Sequence, residues 1–310
     1  MKRKKRFSWL ALLLALVLSF TSCAFPGLGG NARSQIVIAA GNTTERQILA
    51  YLIQGMIQKH TQIKSSIINN LGSTFLIHTA MVNGNVNVCS GMYSGTSLTG
   101  ELGMPPETDS EKALKIVQEE YHRRYQRKWY DSYGFANTYA FMVSRKFAEE
   151  NHIKKVSDLK KLKDKVKVGI DSAWLNRPGD GYEGFQKKYG YGFSKLYPME
   201  IALVYSAIQN GNMDVVLGYS TDGRINSYDL VLLEDDQKLF PAYDCAPVAT
   251  EAIVKKYPEL DQILTVLSGK ITSEQMQAMN RRSDEDLVEP KNVAREFLEK
   301  NHYFTEEMKK

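Results

Sequence analysis

The sequence predicts an α/β protein of two lobes, each built on an open and largely parallel sheet. Three observations carry this. From Ile36 onward, short apolar runs alternate with helical patterns, the strand–helix–strand unit of a parallel sheet. The alternation restarts near Tyr139, after a charged linking segment. The chain of 310 residues is long enough for a large core or for two lobes.

Ile36-Val37-Ile38-Ala39-Ala40 is a compact apolar run suited to a buried parallel strand. Thr44 opens a helix, with Gln47 three residues on as a capping-box partner. Ile48, Leu49, Leu52, Ile53, Met56 and Ile57 recur at helical spacing and mark its core face. A strand at Ser66–Ile68, a helix at Ser73–Val82 and a strand at Asn85–Ser90 follow. Open parallel sheets bind ligands beyond the carboxyl ends of their strands. Gly41-Asn42-Thr43-Thr44 and Ser90-Gly91-Met92-Tyr93 both stand at such ends. The second unit has strands at Tyr139–Ser144, Val166–Ile170 and Asp214–Gly218, and helices at Arg145–Asn151 and Met199–Gln209. From Thr250 to Asn301 the pattern is mainly helical, with Pro258 and Pro290 at helix starts. Between the units, Glu107–Ser132 is dense in charge, and Glu119, Glu120, His122, Arg123, Arg124, Arg127 and Lys128 read as a solvated helix with internal ion pairs.

The amino terminus points to export. Lys2 to Arg6 are basic, Trp9 to Phe20 are apolar, and small residues Thr21 and Ser22 precede Cys23. The apolar run is shorter than the roughly 20 residues of a membrane span, so residues 1–22 read as a signal peptide. Leu18-Ser19-Phe20-Thr21-Ser22-Cys23 resembles a bacterial lipobox, with Phe20 where Leu is usual, which implies a lipidated Cys23. Residues 23–34 then form a lipidated cysteine and flexible tether. The net charge of +5 resides in the leader, so the remaining chain is balanced and lacks a nucleic-acid footprint. Cys89 and Cys245 are a possible disulfide in an exported protein, but buried thiols are the simpler reading.

No catalytic constellation is present. His60, His78, His122, His152 and His302 have no metal-ligand spacing, and there is no nucleophile elbow, phosphate loop or CxxC. No metal, cofactor or enzymatic activity is therefore expected. Tyrosine is the informative residue, with 17 Tyr against 12 Phe and 3 Trp. Several lie near predicted strand ends among small residues. Taken singly, each is as readily a packing tyrosine.

Together they match a family. Tyr93-Ser94-Gly95-Thr96-Ser97-Leu98-Thr99-Gly100, Gly134-Phe135-Ala136-Asn137-Thr138-Tyr139-Ala140 and Val215-Val216-Leu217-Gly218-Tyr219-Ser220-Thr221-Asp222-Gly223 resemble the glycine betaine/carnitine/choline-binding lipoproteins of osmoprotectant ABC transporters. Arg177-Pro178-Gly179-Asp180-Gly181 and Met276-Gln277-Ala278-Met279-Asn280 fit too, so the resemblance runs from about Ile36 to Leu298. It implies a two-lobe type II periplasmic-binding-protein fold with a ligand cleft between the lobes. Lobe 1 is expected at 35–132 plus 236–310, and lobe 2 at 133–235.

The resemblance further implies an extracytoplasmic binding subunit, anchored through Cys23 to the outer face of the cell membrane, monomeric, and delivering ligand to an ABC permease with its ATPase. It places Tyr93, Tyr139, Tyr219 and Tyr243 in an aromatic cage and Thr96 on its polar side. Tyr93 and Tyr243 are expected from one lobe, Tyr139 and Tyr219 at or across the hinge. A trimethylammonium group has no N–H donor and spreads its charge over methyls. Ring faces therefore suit it, each contributing about 0.5–2 kcal/mol when desolvated. Some relatives hold a polar side chain such as Gln where this chain has Gly41. Asn42, Thr43 and Asn137 are further candidates for the ligand's other end. Arg46 is another, although its place in the first helical turn suggests a solvent-facing side chain. Two rival readings remain: a binding protein of the same fold for an amino acid, kept open by Asp222 and Asp244, and an extracytoplasmic enzyme.

Overall fold

The computed structural model describes residues 35–177 and 179–303. The basic leader, Cys23 and the tether lie outside the described residues. Among the described residues, ten strands form two five-stranded sheets. The first contains β1 (Ile36–Ala39), β2 (Ser65–Ile68), β3 (Val88–Tyr93), β4 (Arg127–Trp129) and β10 (Cys245–Thr250), in the order β2-β1-β3-β10-β4. The second contains β5 (Tyr139–Ser144), β6 (Lys167–Asp171), β7 (Lys195–Met199), β8 (Val215–Tyr219) and β9 (Leu230–Leu232), in the order β7-β6-β8-β5-β9.

The sheets follow one plan. In the first, β1 pairs in parallel with β2 and β3, while β10 runs antiparallel between β3 and β4. In the second, β6 pairs in parallel with β7 and β8, while β5 runs antiparallel between β8 and β9. The antiparallel strand is in each case the one the chain enters on crossing from the other sheet.

Both faces of each sheet are covered, which explains the unbroken apolar runs. Ile36 and Ile38 pack against the helix Thr44–His60 and the C-terminal helices, whereas Val37 and Ala39 face Ile77, Leu98, Val117 and Trp129. In the second sheet Phe141, Val168 and Leu217 meet Trp174 and Phe185, and Met142 and Val216 meet Val204 and Tyr205. Glu120 pairs with both Arg123 and Arg124 on the helix Ser110–Tyr125, as the charged linker predicts. Arg127 departs from that pattern: it is buried, over the Tyr125 ring and beside His78. Pro258 and Pro290 open helices, as expected.

Element boundaries moved in two instructive places. Thr43, not Thr44, caps the first helix, accepting from the Arg46 amide, and the Thr44 hydroxyl instead donates to Asp284. The third strand begins at Val88 rather than Asn85, because Asn87 spends its side-chain carbonyl on the Val37 amide. It then continues to Tyr93, held by the long-range partner β10. That same register sets Cys89 opposite Val248 and Cys245 opposite Tyr93, so the two thiols stay apart, free and buried.

The crossing segments are bonded to each other. Ala136 and Asp244 form an antiparallel bridge, flanked by Asn137 N–H to Tyr243 C=O (3.2 Å) and Cys245 N–H to Phe135 C=O (3.1 Å). Gly134 begins this ribbon at φ +115°, and a Cβ there would fall 2.9 Å from the Ile271 carbonyl oxygen. Gly134→Ala is therefore expected to destabilise the protein by about 1–3 kcal/mol, read as a lowered urea midpoint.

Candidate functional site

Parallel strands end, and antiparallel strands begin, at the same edge of a sheet. Tyr93 closes β3 and Tyr219 closes β8, while Tyr139 opens β5 and Tyr243 stands two residues before β10. Strand direction therefore carries all four tyrosines to the edges where the sheets face each other. They line one cavity of about 490 Å³ between the sheets.

Each ring is held by a local device. Tyr139 and Tyr219 are register partners, with ring centroids 5.1 Å apart. The Tyr219 backbone is fixed by the buried Tyr205, whose hydroxyl accepts from the Tyr219 amide at 2.7 Å. Gly218 permits this, since a Cβ there would lie 2.5 Å from the Tyr205 hydroxyl oxygen. Tyr243 lies on Gly95, where a Cβ would approach its ring to 3.1 Å and the Ala242 carbonyl oxygen to 2.6 Å. Tyr93 donates to the buried Glu45 at 2.5 Å, and Tyr139 donates to the buried Asp171 at 2.6 Å. Burial, reinforced by these carboxylates, raises both phenols above their ordinary pKa. Burial also raises that of Tyr243. The rings stay neutral at physiological pH. Tyr219, at 37% exposure, is the most accessible of the four.

The cavity also gathers Thr43, Thr96 and Asn137, the last donating to Glu45 at 3.1 Å. The Asn137 side-chain oxygen is buried without a hydrogen-bond partner. Asn42 is exposed and does not line the cavity. Asp222 pairs with Arg224, and Asp244 accepts from Ser110; neither lines it.

Two arginines change the picture drawn from sequence. Arg46 does not face solvent: it is 6% exposed and lies over the Tyr93 ring at 4.8 Å. The reason is glycine. A Cβ at Gly41 would fall 2.4 Å from Arg46 Cδ and 2.9 Å from Nη1, so the arginine fills the space left by the missing side chain. One amino group donates to Thr74 at 2.8 Å, while Nε is buried without a partner. Arg177, beyond the reach of sequence reasoning as a site residue, lies over Tyr139 (5.7 Å) and Tyr243 (5.5 Å). It pairs with Asp180 at 2.8 Å and donates to the Tyr243 hydroxyl, bridging the two sheets. Glu101 is a second residue not found from sequence; it lines the cavity, and burial raises its pKa. No signal in the sequence marks these two as site residues, nor the burial of Arg46, because each depends on a niche built by distant segments.

Beside the cavity, the helix Ser273–Asp284 of the first sheet meets the loop after β8. Gln277 donates to the Ser220 carbonyl (2.7 Å) and Asn280 to the Thr221 carbonyl (2.8 Å). Gly223 packs directly on this helix, where a Cβ would fall 2.5 Å from Arg281 backbone atoms. Among the described residues no group of His, Cys, Asp or Glu could hold a metal ion. No described helix is long and apolar enough to cross a membrane.

Two α/β lobes joined by a bonded ribbon, with an aromatic cleft between them, define a solute-binding protein. The chain belongs to the family described as the substrate binding domain of ABC-type glycine betaine transport systems, which matches residues 34–300. It is the substrate-binding component of an osmoprotectant ABC transporter. Among its relatives, the carnitine transport binding protein OpuCC of Listeria monocytogenes is 47% identical over 98% of this chain and 99% of its own length. The glycine-betaine-binding protein of Pseudomonas aeruginosa is 28% identical over 91% of this chain and 93% of its own. A crystal structure of a glycine betaine/carnitine/choline ABC transporter superposes with a TM-score of 0.85 at 44% identity, covering 87% of this chain and 100% of that one.

Gly223→Ala should prevent the helix and the loop from meeting. Small-angle scattering should then show a larger radius of gyration than the parent in saturating ligand, with affinity lowered at least tenfold. Parental compactness and affinity would show that the contact is dispensable.

Proposed function

We propose that Tyr93, Tyr139, Tyr219 and Tyr243 form a cage for the trimethylammonium group of glycine betaine, carnitine or choline. The observation carrying this reading is the convergence of four neutral phenol rings from both sheets on one cavity, with a guanidinium already lying over two of them. A ring pair that accepts one delocalised cation has the electrostatics for another. Four faces contribute several kcal/mol, enough for micromolar binding after association costs. Names of the relatives point the same way: they refer to carnitine, glycine betaine and choline.

Arg46 is the natural partner for a ligand carboxylate, since its buried Nε has a donor to give. Thr96, Thr43 and Asn137 complete the polar side, and Arg177 adds a second positive group. The lobes are assigned to 35–132 with 236–310 and to 133–235, and the packing at the crossings favours small changes there. Tyr133 and Phe135 pack in the first core, Leu239 and Phe240 in the second. Closure about the Ala136–Asp244 bridge traps the ligand. The protein acts as a monomer without enzymatic activity, held outside the membrane by a lipid on Cys23, and presents its cargo to the permease. The amino-acid alternative now rests on Glu101, the one carboxylate among the described residues that line the cavity.

Calorimetric titration of residues 24–310 with glycine betaine, carnitine, choline and glycine tests this. Saturable binding of any of the first three, with no response to glycine, is expected; response to glycine alone would favour the amino-acid reading. Arg46→Met should weaken glycine betaine roughly tenfold or more while leaving choline, which lacks a carboxylate, nearly unchanged.

Tyr219→Ala should cost at least tenfold in affinity and Tyr219→Phe much less, because the ring face survives. Parental affinity in the alanine variant would remove Tyr219 from the cage.

A further inference from the structure

Trimethylammonium cannot donate a hydrogen bond, so a carboxylate placed against it is poorly used there. The negative charge around this cage stands elsewhere. Three of the four phenols donate to a carboxylate lying behind them: Tyr93 to Glu45 (2.5 Å), Tyr139 to Asp171 (2.6 Å) and Tyr243 to Asp180 (3.3 Å). All three acids are buried, at 3%, 5% and 6% exposure. Asp180 is compensated by its ion pair with Arg177. Glu45 and Asp171 make no ion pair among the described residues. Their other bonds are to neutral donors: Asn137 at 3.1 Å and Asn280 at 3.4 Å for Glu45, and the Ala173 amide at 3.2 Å for Asp171. Arg46, over the Tyr93 ring, offsets part of the Glu45 charge, and Arg177, over the Tyr139 ring, offsets part of that of Asp171, but neither is bonded to the carboxylate.

Burying a carboxylate without a bonded cation is costly, and two such groups behind the walls of one cavity require a reason. We propose that Glu45 and Asp171 supply the cage's counter-charge from behind its rings. Each carboxylate polarises the phenol it accepts from, making the ring face more negative, and fixes the ring's rotation. Its own field adds to the attraction for a cation across a dry interior. Both residues are positioning groups that act through Tyr93 and Tyr139 without touching the ligand. This inference rests on the cage reading and names what gives the cage its preference for positive charge over mere shape.

A neutral twin of the ligand separates charge from shape. 3,3-Dimethylbutan-1-ol has the outline of choline with carbon in place of the ammonium nitrogen. Choline and this alcohol would be titrated into the parent, Glu45→Gln and Asp171→Asn, the alcohol at millimolar concentration by displacement. Choline affinity is expected to fall roughly tenfold or more in both Asp171→Asn and Glu45→Gln, with the alcohol nearly unchanged. Equal losses for both ligands would mean that the carboxylates only hold the rings in place, and parental affinities would mean that they do nothing; either overturns the inference. Tyr139→Phe supplies an independent arm: it keeps the ring, breaks the relay, and should lower the choline-to-alcohol preference. An unchanged preference counts against the proposal. A parent protein that binds none of choline, glycine betaine and carnitine removes the cage reading and this inference together.

Discussion

Everything at this site depends on two crossing segments lying side by side and bonded to each other. The bridge between Ala136 and Asp244 fixes the two sheets so that their ligand-facing edges oppose one another. Because β5 and β10 leave that ribbon antiparallel to their neighbours, their first residues fall at the edge where β3 and β8 end. Four tyrosines from four separate segments therefore meet without any loop having to reach far. Two short bonded segments linking two separately cored sheets are the geometry the proposed hinge requires.

Most of the fold was legible because hydrophobic periodicity is a local signal. The run Ile36–Ala39 is apolar on both faces because both faces are covered, and the helix Thr44–His60 shows its core stripe plainly. Strand order was beyond reach, since β10 is far from β3 in sequence and pairs with it only through tertiary contact. The lengthening of β3 to Tyr93 has the same origin. The tyrosines could be found because their small-residue contexts resemble a family pattern. Arg177 and Glu101 could not be found, because distant segments bring them to the cavity, and the burial of Arg46 was missed because it is decided by an absent side chain at Gly41, which leaves no periodic trace.

The cavity joins two kinds of chemistry that sequence alone keeps apart. Its rings are neutral and greasy, yet the groups behind and beside them are acids and bases: Glu45, Asp171, Asp180 and Arg46, all buried, and the half-buried Arg177. In the proposed cage, aromatic contact gives a trimethylammonium group somewhere dry to sit. The buried charges decide which end of the ligand faces which wall. Packing and electrostatics thus divide the work of recognition, one setting fit and the other orientation.

The arginine that occupies the hollow above Gly41 ties two positions into one heritable unit. A lineage could not acquire a bulky side chain at the loop while keeping Arg46 where it is, nor lose Arg46 without opening a void beside the cargo. Diversification among such transporters would then proceed by paired exchange, and a chimaera that borrows the loop of a relative without its following helical turn would inherit neither parent's taste in solutes.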